Sequence, residues 1–526
     1  MPPVLDTPPP SNLAPAVAHP RTTAEKGTYG QILKSSAMVG GSQALNIVIG
    51  IVRTKAMAVM LGPAGFGLFG LYNSVANLAQ TFAGMGINSS GVRQIAAAVS
   101  TGDAEKIAQT VRVLRRTSVL LGLLGAFLLV IFSRQISTLT FASASHSSAV
   151  AWLSLVVLFT LISGGQAALI QGMRRIADLA KMQVLGALFG TICGIPLVYF
   201  FRERGVVPSL ICIAVTTIVT SAWYSRKIAV LPAVTPVTGA DIRHEVGALL
   251  KLGLAFMTSN VITLGVAYVI RITVLRKVGY EATGLYQSAW TLGGLYVGFI
   301  LQAMGADFYP RLTASANDDT ICNRLVNEQA RVGLLLAGPG VIATLTFAPL
   351  VITLFYSAKF GPAVGILRWI CLGTILQVIT WPMGYVIIAK AKRALFVGCE
   401  LAWGVVSLAL AWVCIANYGL TGAGISFFGS YIFHGVMLYT IVGRLSGFRW
   451  SKDNLKTGAL SLSIIALVFC GFYLLPLAFG VALGTIALLC SGVYSVRVIT
   501  TFIPREQVPR RVAKLLALFG LTPRLL

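Results

Sequence analysis

The chain has 526 residues, of which 56% are hydrophobic and only 11% are charged. Soluble domains carry about 25% charged residues, so this composition excludes a water-soluble globular protein and places the chain in a lipid bilayer. We interpret the net charge of +25 as basic loops that hold the cytosolic face of a membrane protein, not as a nucleic-acid-binding surface.

The chain begins with a proline-rich segment, residues 1–29, that contains no apolar core segment. Such a segment cannot bury enough apolar surface to fold, and it lacks the apolar region of a signal peptide. We therefore predict a disordered cytosolic tail.

Apolar runs of about 20 residues follow along most of the chain, which predicts an all-α polytopic membrane protein with about 14 transmembrane helices. Many connections are very short, so neighbouring spans are expected to be antiparallel. The predicted spans are 35–60, 67–89, 113–133, 149–171, 180–201, 206–224, 252–275, 281–304, 332–355, 363–388, 394–416, 420–442, 457–476 and 478–499.

Residues recur at a spacing of 217, as Gly62 with Gly279 and Gly67 with Gly284. This spacing is too long for a solenoid and indicates two related halves of six helices, an arrangement typical of transporters. The predicted units are two pseudo-symmetric lobes at 30–227 and 251–445, a cytosolic linker at 228–250, two extra helices at 446–500 and a basic cytosolic tail at 501–526.

Basic residues are concentrated in alternate loops, on the side that is cytosolic if both termini are cytosolic. In the tail, residues 508–518 are interpreted either as a basic amphipathic helix on the membrane surface or as a frayed segment.

The segment from Gly65 to Gly70 matches GxGxxG, but it lies between two predicted spans and lacks the preceding strand of a dinucleotide site. We expect these glycines to permit a tight turn and close helix packing. Because the eight cysteines and four histidines are scattered and no catalytic arrangement stands out, we predict neither a metal site, a cofactor nor an enzyme.

Cations lie deep within three predicted spans. Arg53 and Lys55 lie about 20 residues into the first span, Arg271 lies at a similar depth in the seventh, and Arg368 lies early in the tenth. A cation in hydrocarbon costs at least about 2.5–3.5 kcal/mol, so each must face a cavity or an anionic partner, or reach the headgroups. The matching depth favours a cavity for Arg53 and Arg271, whereas the headgroups are favoured for the last two cations of the seventh span, Arg276 and Lys277.

Asn73, Asn77 and Gln80 follow the glycine turn at helical spacing. They are interpreted either as the lining of a cavity or as partners in helix–helix hydrogen bonds. All 16 carboxylates fall in predicted loops or at span ends, and a cavity lined by cations predicts an anionic substrate. Weaker candidates for the lining are Gln166, Gln171, Gln287, Gln302 and Gln377.

Several motifs together resemble the Wzx-type oligosaccharide flippases of the multidrug/oligosaccharidyl-lipid/polysaccharide exporter superfamily. The resemblance covers roughly residues 30–450. The motifs are the run from Ser35 to Asn46, Arg53-Thr54-Lys55, the turn from Leu61 to Gly67, Phe308-Tyr309-Pro310-Arg311-Leu312 and Leu367-Arg368-Trp369.

This resemblance implies two six-helix lobes in a V around a central cavity, with two further helices outside. It implies alternating access that moves undecaprenyl-diphosphate-linked oligosaccharide to the periplasmic leaflet of a bacterial inner membrane, for O-antigen or exopolysaccharide synthesis. Partners implied only by the resemblance are a polysaccharide polymerase, assembly proteins and the initiating glycosyltransferase.

By position, the resemblance assigns diphosphate binding to Arg53 and Arg271, with Lys55 in support. Arg93 and Arg311, which are 218 residues apart, either receive the diphosphate at the cytosolic side or anchor their helices. Asn73, Asn77 and Arg368 complete the candidate substrate-binding set.

Three alternatives remain at this point. A lipid II flippase would share the fold and a cationic cavity. A multidrug efflux transporter would be expected to carry an acidic residue in an early span, and the sequence has none there. A non-transporting membrane scaffold for polysaccharide assembly is disfavoured by the repeat and the polar cavity candidates.

Overall fold

The computed structural model describes residues 23–228 and 239–502, and every regular element in these ranges is a helix. The N-terminal lobe contains α1 (Thr23–Gly84), α2 (Ile87–Ser100), α3 (Ala104–Ile131), α4 (Ser133–Phe141), α5 (Ser147–Gly172), α6 (Ile176–Phe201) and α7 (Val206–Arg226). The C-terminal lobe contains α8 (Gly239–Lys277), α9 (Tyr280–Ala314), α10 (Asp319–Thr346), α11 (Ala348–Phe355), α12 (Ala363–Ala389) and α13 (Arg393–Ser446). Two further helices follow, α14 (Lys452–Leu474) and α15 (Leu477–Phe502).

Helix α1 begins inside the predicted N-terminal tail, and α8 begins inside the predicted linker. The first 22 residues, residues 229–238 of the linker, and the basic tail from residue 503 with its 508–518 segment lie outside the described residues.

The predicted number of about 14 crossings is confirmed. Ten helical stretches are long and apolar enough to cross a bilayer, and the pair α10–α11, bent by 81°, makes an eleventh. Three of these stretches contain a reversal, at Gly62, Arg202 and Gly419, where φ is 66°, 52° and 56°. A straight helix of 62 residues would be about 93 Å long, three times the apolar thickness of a bilayer, so such stretches are two crossings each.

The two lobes repeat the same local design. Asp103 caps α3 by accepting backbone N–H groups at 2.9 and 3.3 Å, and Asp318 caps α10 at 3.0 Å. Each capped helix ends at a phenylalanine, Phe132 or Phe347, and a short helix follows directly after it. Equivalent breaks at equivalent places show the pseudo-symmetry that the sequence spacing predicted.

The last two helices pack on the C-terminal lobe rather than between the lobes. Arg331 of α10 pairs with Asp453 of α14 at 2.9 Å, and a Cβ added at Gly484 of α15 would lie 2.3 Å from Oγ1 of Thr346. The predicted architecture of two six-helix lobes around a cavity, with two helices outside, is thus confirmed.

Candidate functional site

The two lobes meet where α1 and α9 cross at repeated glycines. A Cβ added at Gly284 would lie 1.8 Å from the carbonyl oxygen of Pro63, and one added at Gly67 would lie 2.6 Å from that of Tyr280. Only glycine permits backbones to approach this closely, so the expected packing role of the glycine motif is confirmed. We call this end of the molecule the turn end, because the reversal at Gly62 lies there and Arg202, at the reversal between α6 and α7, donates to Met60 O at 3.0 Å.

Away from the turn end, the face of α9 that touches α1 becomes uncovered. Gly284 is buried and Gln287 is half-buried, but the next residues on this face, Thr291, Gly294 and Gly298, are exposed. A Cβ added at Gly294 or Gly298 would meet nothing within 4 Å. The lobes therefore diverge from a closed apex and enclose a cavity that widens toward the opposite end, which we call the wide end.

Arg271 lies at the apex of this cavity. Its side chain is 9% exposed, and its Nε donates to Oε1 of Gln287 at 2.6 Å. Gln287 in turn donates to Thr291 Oγ1 at 3.1 Å and packs against α1, where its Cγ would lie 3.0 Å from a Cβ at Gly70. A buried guanidinium is thus held by a neutral amide at the contact between the lobes.

Arg53 lies at the same level in the other lobe. It precedes Gly62 by nine residues, as Arg271 precedes Gly279 by eight, which places each about 12–14 Å from turns that touch each other. Arg53 is half-buried. Within the part of the chain that the structure describes, neither arginine forms an ion pair. Lys55, two residues further along α1, is exposed.

Asn73 and Asn77 continue the cavity-facing side of α1 that begins with Gly67 and Gly70. Both are half-buried, and their spacing of three and four residues keeps them on this face. They follow Gly70, which packs against Gln287, by about one and two helical turns.

Arg93 and Arg311 lie apart from the apex. Arg93 is exposed on α2, beyond the break at Gly86 that ends the second crossing. Arg311 is exposed near the end of α9 and pairs with Asp307 at 3.1 Å. A cation that already has a carboxylate neighbour resembles a helix anchor more than a ligand-binding group.

Arg368 faces away from the cavity, toward the extra helices. Its guanidinium lies 3.8 Å from the ring centroid of Phe472 on α14, its Nε donates to Leu345 O at 3.4 Å, and its Nη2 is buried without a partner among the described residues. The structure does not bring it together with Arg53 and Arg271.

Arg276, interpreted from the sequence as a headgroup anchor, is exposed and also bridges the lobes. Its Nη2 donates across the lobes to Thr138 O at 3.2 Å and also to Leu139 O. Lys277, next to it, stays within its own lobe and lies 3.7 Å from the ring centroid of Trp412. Sequence reasoning missed the partner because α4, a short helix after the third crossing, was not separated from that crossing.

Comparisons with known proteins agree with this architecture. The profile of the family described as polysaccharide biosynthesis protein matches residues 56–365. The lipid III flippase of Escherichia coli (strain K12) is 24% identical over 410 residues, which cover 76% of this chain and 95% of that protein.

Two solved structures show the same fold. The lipid II flippase MurJ, in an inward closed conformation, superposes with a TM-score of 0.65 at 15% identity, covering 88% of this chain and 99% of MurJ. An inward-facing multidrug resistance MATE family transporter of the MOP superfamily superposes with a TM-score of 0.59 at 17% identity, covering 75% and 94%. With a family match over more than half of its length, this multi-pass membrane protein belongs to the polysaccharide biosynthesis protein family, and it has the fold of the MOP-superfamily transporters.

Proposed function

We propose that the protein is a flippase that moves an undecaprenyl-diphosphate-linked oligosaccharide from the cytosolic to the periplasmic leaflet by alternating access, as the Wzx-type flippases do. The observation that carries the proposal is Arg271, a nine-tenths buried arginine held by a neutral amide at the apex of an interlobe cavity. A buried cation without a carboxylate partner fits an anion that comes from the ligand.

The chemistry of the substrate class matches the site. The diphosphate is the group that is most costly to carry through hydrocarbon, and guanidinium forks bind phosphate oxygens in two-point contacts. The sugar requires a polar, hydrated cavity, which the widening space between α1 and α9 supplies. The prenyl chain can stay in the lipid between the lobes throughout the cycle.

We assign the diphosphate to Arg53 and Arg271, with Lys55 in support, and the neighbouring sugar hydroxyls to Asn73 and Asn77. Arg93 and Arg311 lie toward the wide end, where the substrate would enter, and the Arg311–Asp307 pair favours anchoring for Arg311. Arg368 has no part in this assignment because it faces α14.

The relatives support a flippase and leave the sugar open. The named relatives are a lipid III flippase and, by fold, a lipid II flippase, so a lipid II substrate is the second candidate. We place the protein in a bacterial inner membrane with both termini and the wide end cytosolic, and we expect a polymerase and assembly proteins of a surface polysaccharide pathway as partners.

The test is to replace Arg53 and Arg271 singly with alanine and with lysine and to measure delivery of lipid-linked oligosaccharide to the outer leaflet. We expect Arg271→Ala and Arg53→Ala to reduce delivery at least about tenfold, and the lysine variants to retain part of it. Arg324→Ala serves as the control, because Arg324 is exposed and pairs within its own helix with Glu328 at 3.8 Å.

Membrane levels of each variant are measured in parallel. Normal delivery by both alanine variants would contradict the proposal. Proteoliposomes loaded with either lipid II or an oligosaccharide carried on the same prenyl diphosphate then separate the two substrate candidates.

A further inference from the structure

Two short segments occupy equivalent places in the two lobes at the turn end. In the N-terminal lobe, α4 leads into a 3₁₀ turn at Ala144–His146, and in the C-terminal lobe, α11 leads into one at Ala358–Phe360. We call residues 133–146 the polar strap and residues 348–360 the aromatic strap. Each strap leaves its own lobe's third crossing and contacts the opposite lobe.

The polar strap is bound to the C-terminal lobe by side-chain hydrogen bonds. Arg276 donates to the carbonyls of Thr138 and Leu139 near the end of α4, where the helix dipole favours a cation. The hydroxyls of Thr140 and Tyr268 lie 2.5 Å apart.

The 3₁₀ turn of the polar strap adds a weaker contact. Nε2 of His146 lies 3.4 Å from the hydroxyl of Tyr280, which begins α9. Within its own lobe, Nδ1 of His146 lies 2.8 Å from the Tyr72 hydroxyl, and its ring stacks on Phe141 with centroids 4.2 Å apart. The histidine is thus held by the N-terminal lobe through Nδ1, and its Nε2 faces the C-terminal lobe.

The aromatic strap makes a contact of the opposite kind. Phe66 of α1 packs edge-on against both Tyr356 and Phe360, with ring centroids 5.4 and 5.8 Å away, and those two rings lie 5.1 Å from each other. All three side chains are at most 2% exposed. Separating them would expose large apolar surfaces, which is costly because aromatic side chains bury 150–250 Å² each.

The two straps therefore differ in how readily they part. Arg276 is exposed, as are Thr138 and Leu139, so water can replace their mutual hydrogen bonds when the lobes separate. The Thr140 and Tyr268 hydroxyls are buried, but both are polar, so water can satisfy each of them once it enters between the lobes. Water cannot replace the buried contact of Phe66.

We propose that the polar strap is a releasable latch that closes the cavity at the turn end, and that the aromatic strap stays together as the pivot. Opening would break the bonds of Arg276 and Tyr268 while Phe66 stays packed against Tyr356 and Phe360. This inference rests on the proposed function in one respect only: if the protein is a flippase, the turn end is the side at which the substrate leaves.

The test uses a cysteine at Gly294, on the cavity-facing side of α9 with open space around it, in a chain whose eight native cysteines are replaced. A membrane-impermeant maleimide is applied from the turn-end side of sealed vesicles of known protein orientation, without substrate. We expect Arg276→Ala to raise the labelling rate about tenfold, because a hydrogen bond to a charged group contributes about 1.5–3 kcal/mol.

Lys277→Ala is the matched control, since it removes an adjacent cation that contacts Trp412 within its own lobe. It should leave the labelling rate unchanged, as should Arg134→Ala, which removes an exposed cation of the polar strap itself. Tyr268→Phe removes one hydroxyl with little change in volume and should raise the rate about twofold, which keeps the test available if Arg276→Ala does not fold.

Equal labelling of the Arg276, Tyr268 and Lys277 variants would overturn the latch. Because no lipid-linked substrate is present, this failure is distinct from a failure of the flippase proposal, which the Arg53 and Arg271 variants test.

Discussion

Arg271 is a buried cation, and the partner that holds it is a neutral amide. Gln287 fixes the direction of the guanidinium at 2.6 Å without neutralising it, so the positive charge stays available to a ligand. A carboxylate in place of the amide would pair with the guanidinium inside the buried site and compete with an anionic ligand. The choice of amide over carboxylate is therefore the feature on which our proposal of an anion site at Arg271 rests.

We predict that Gln287→Glu abolishes transport at normal protein levels. The new carboxylate would pair with Arg271, and a competing ion pair of about 2 kcal/mol would weaken binding of an anionic ligand about thirtyfold. Gln302→Glu is the control, because Gln302 is exposed four turns further along the same face of α9. Binding of a prenyl diphosphate to the purified variants measures the effect, and equal affinity of the two variants would argue against Arg271 as the anion site.

The sequence predicts the two arginines as candidates, but it does not predict that Gln287 is the partner of Arg271. Their depth and their spacing of 218 mark Arg53 and Arg271, since charge in hydrocarbon is expensive wherever it occurs. Gln287 was one of five similar glutamines, and its pairing with Arg271 depends on how α8 and α9 rotate about their axes. Each residue turns a helix by about 100°, so a small difference in rotation changes which glutamine faces Arg271. No local sequence pattern determines that rotation.

Among the helices, α1 and α9 are the pair whose contact positions the site. Their crossing at Gly67 and Gly284 sets the apex of the cavity and brings Gly70 against Gln287. The same pattern of glycines continues along α9 to Gly294 and Gly298, where it faces open space. One helix thus carries both a contact that requires glycine and a lining that does not.

Two alanine substitutions on α9 should therefore have opposite effects on stability. Gly284→Ala would place a methyl group 1.8 Å from Pro63 O, and such overpacking typically costs about 1–3 kcal/mol. Gly294→Ala meets no neighbour and gains up to about 1 kcal/mol of helix propensity.

Thermal unfolding of the purified variants tests this pair of substitutions. A lower unfolding temperature for Gly284→Ala, with an unchanged or higher one for Gly294→Ala, is the expected result. If both variants unfold at the wild-type temperature, the glycine contact is not a tight one.

For the helices, the sequence predicts their number and order, but it does not predict the short helices that follow some of them. The repeat at 217 finds the glycine contact because the two halves carry it at the same position. It does not find α4 as a separate helix, because the apolar run continues through Phe132. Arg368 likewise lies on its predicted span, but its contact with α14 depends on tertiary packing, which the sequence pattern does not predict.

The whole molecule is a V that is closed at the turn end, and its contacts suggest how it changes state. The glycine crossing and the two straps all lie within this end, and Arg276 there bridges the lobes. Alternating access requires this end to open, so a link that prevents opening should stop transport while leaving the wide end accessible.

We predict that tying the lobes together at the polar strap blocks transport but not binding. Thr140→Cys and Tyr268→Cys, whose parent hydroxyls lie 2.5 Å apart across the lobes, would be joined by a short, cleavable bifunctional thiol reagent in the background without native cysteines. The diphosphate would still reach Arg271 from the wide end, because nothing in this link narrows the entrance there.

A pair within one lobe separates this effect from simple modification. Cysteines at Lys277 and Trp412, whose side chains touch inside the C-terminal lobe, would be joined by the same reagent and should leave transport unchanged. Cleavage of the reagent should restore transport to the interlobe pair. Transport that continues with the lobes tied would mean that the substrate leaves without opening the turn end, and alternating access between these two lobes would have to be abandoned.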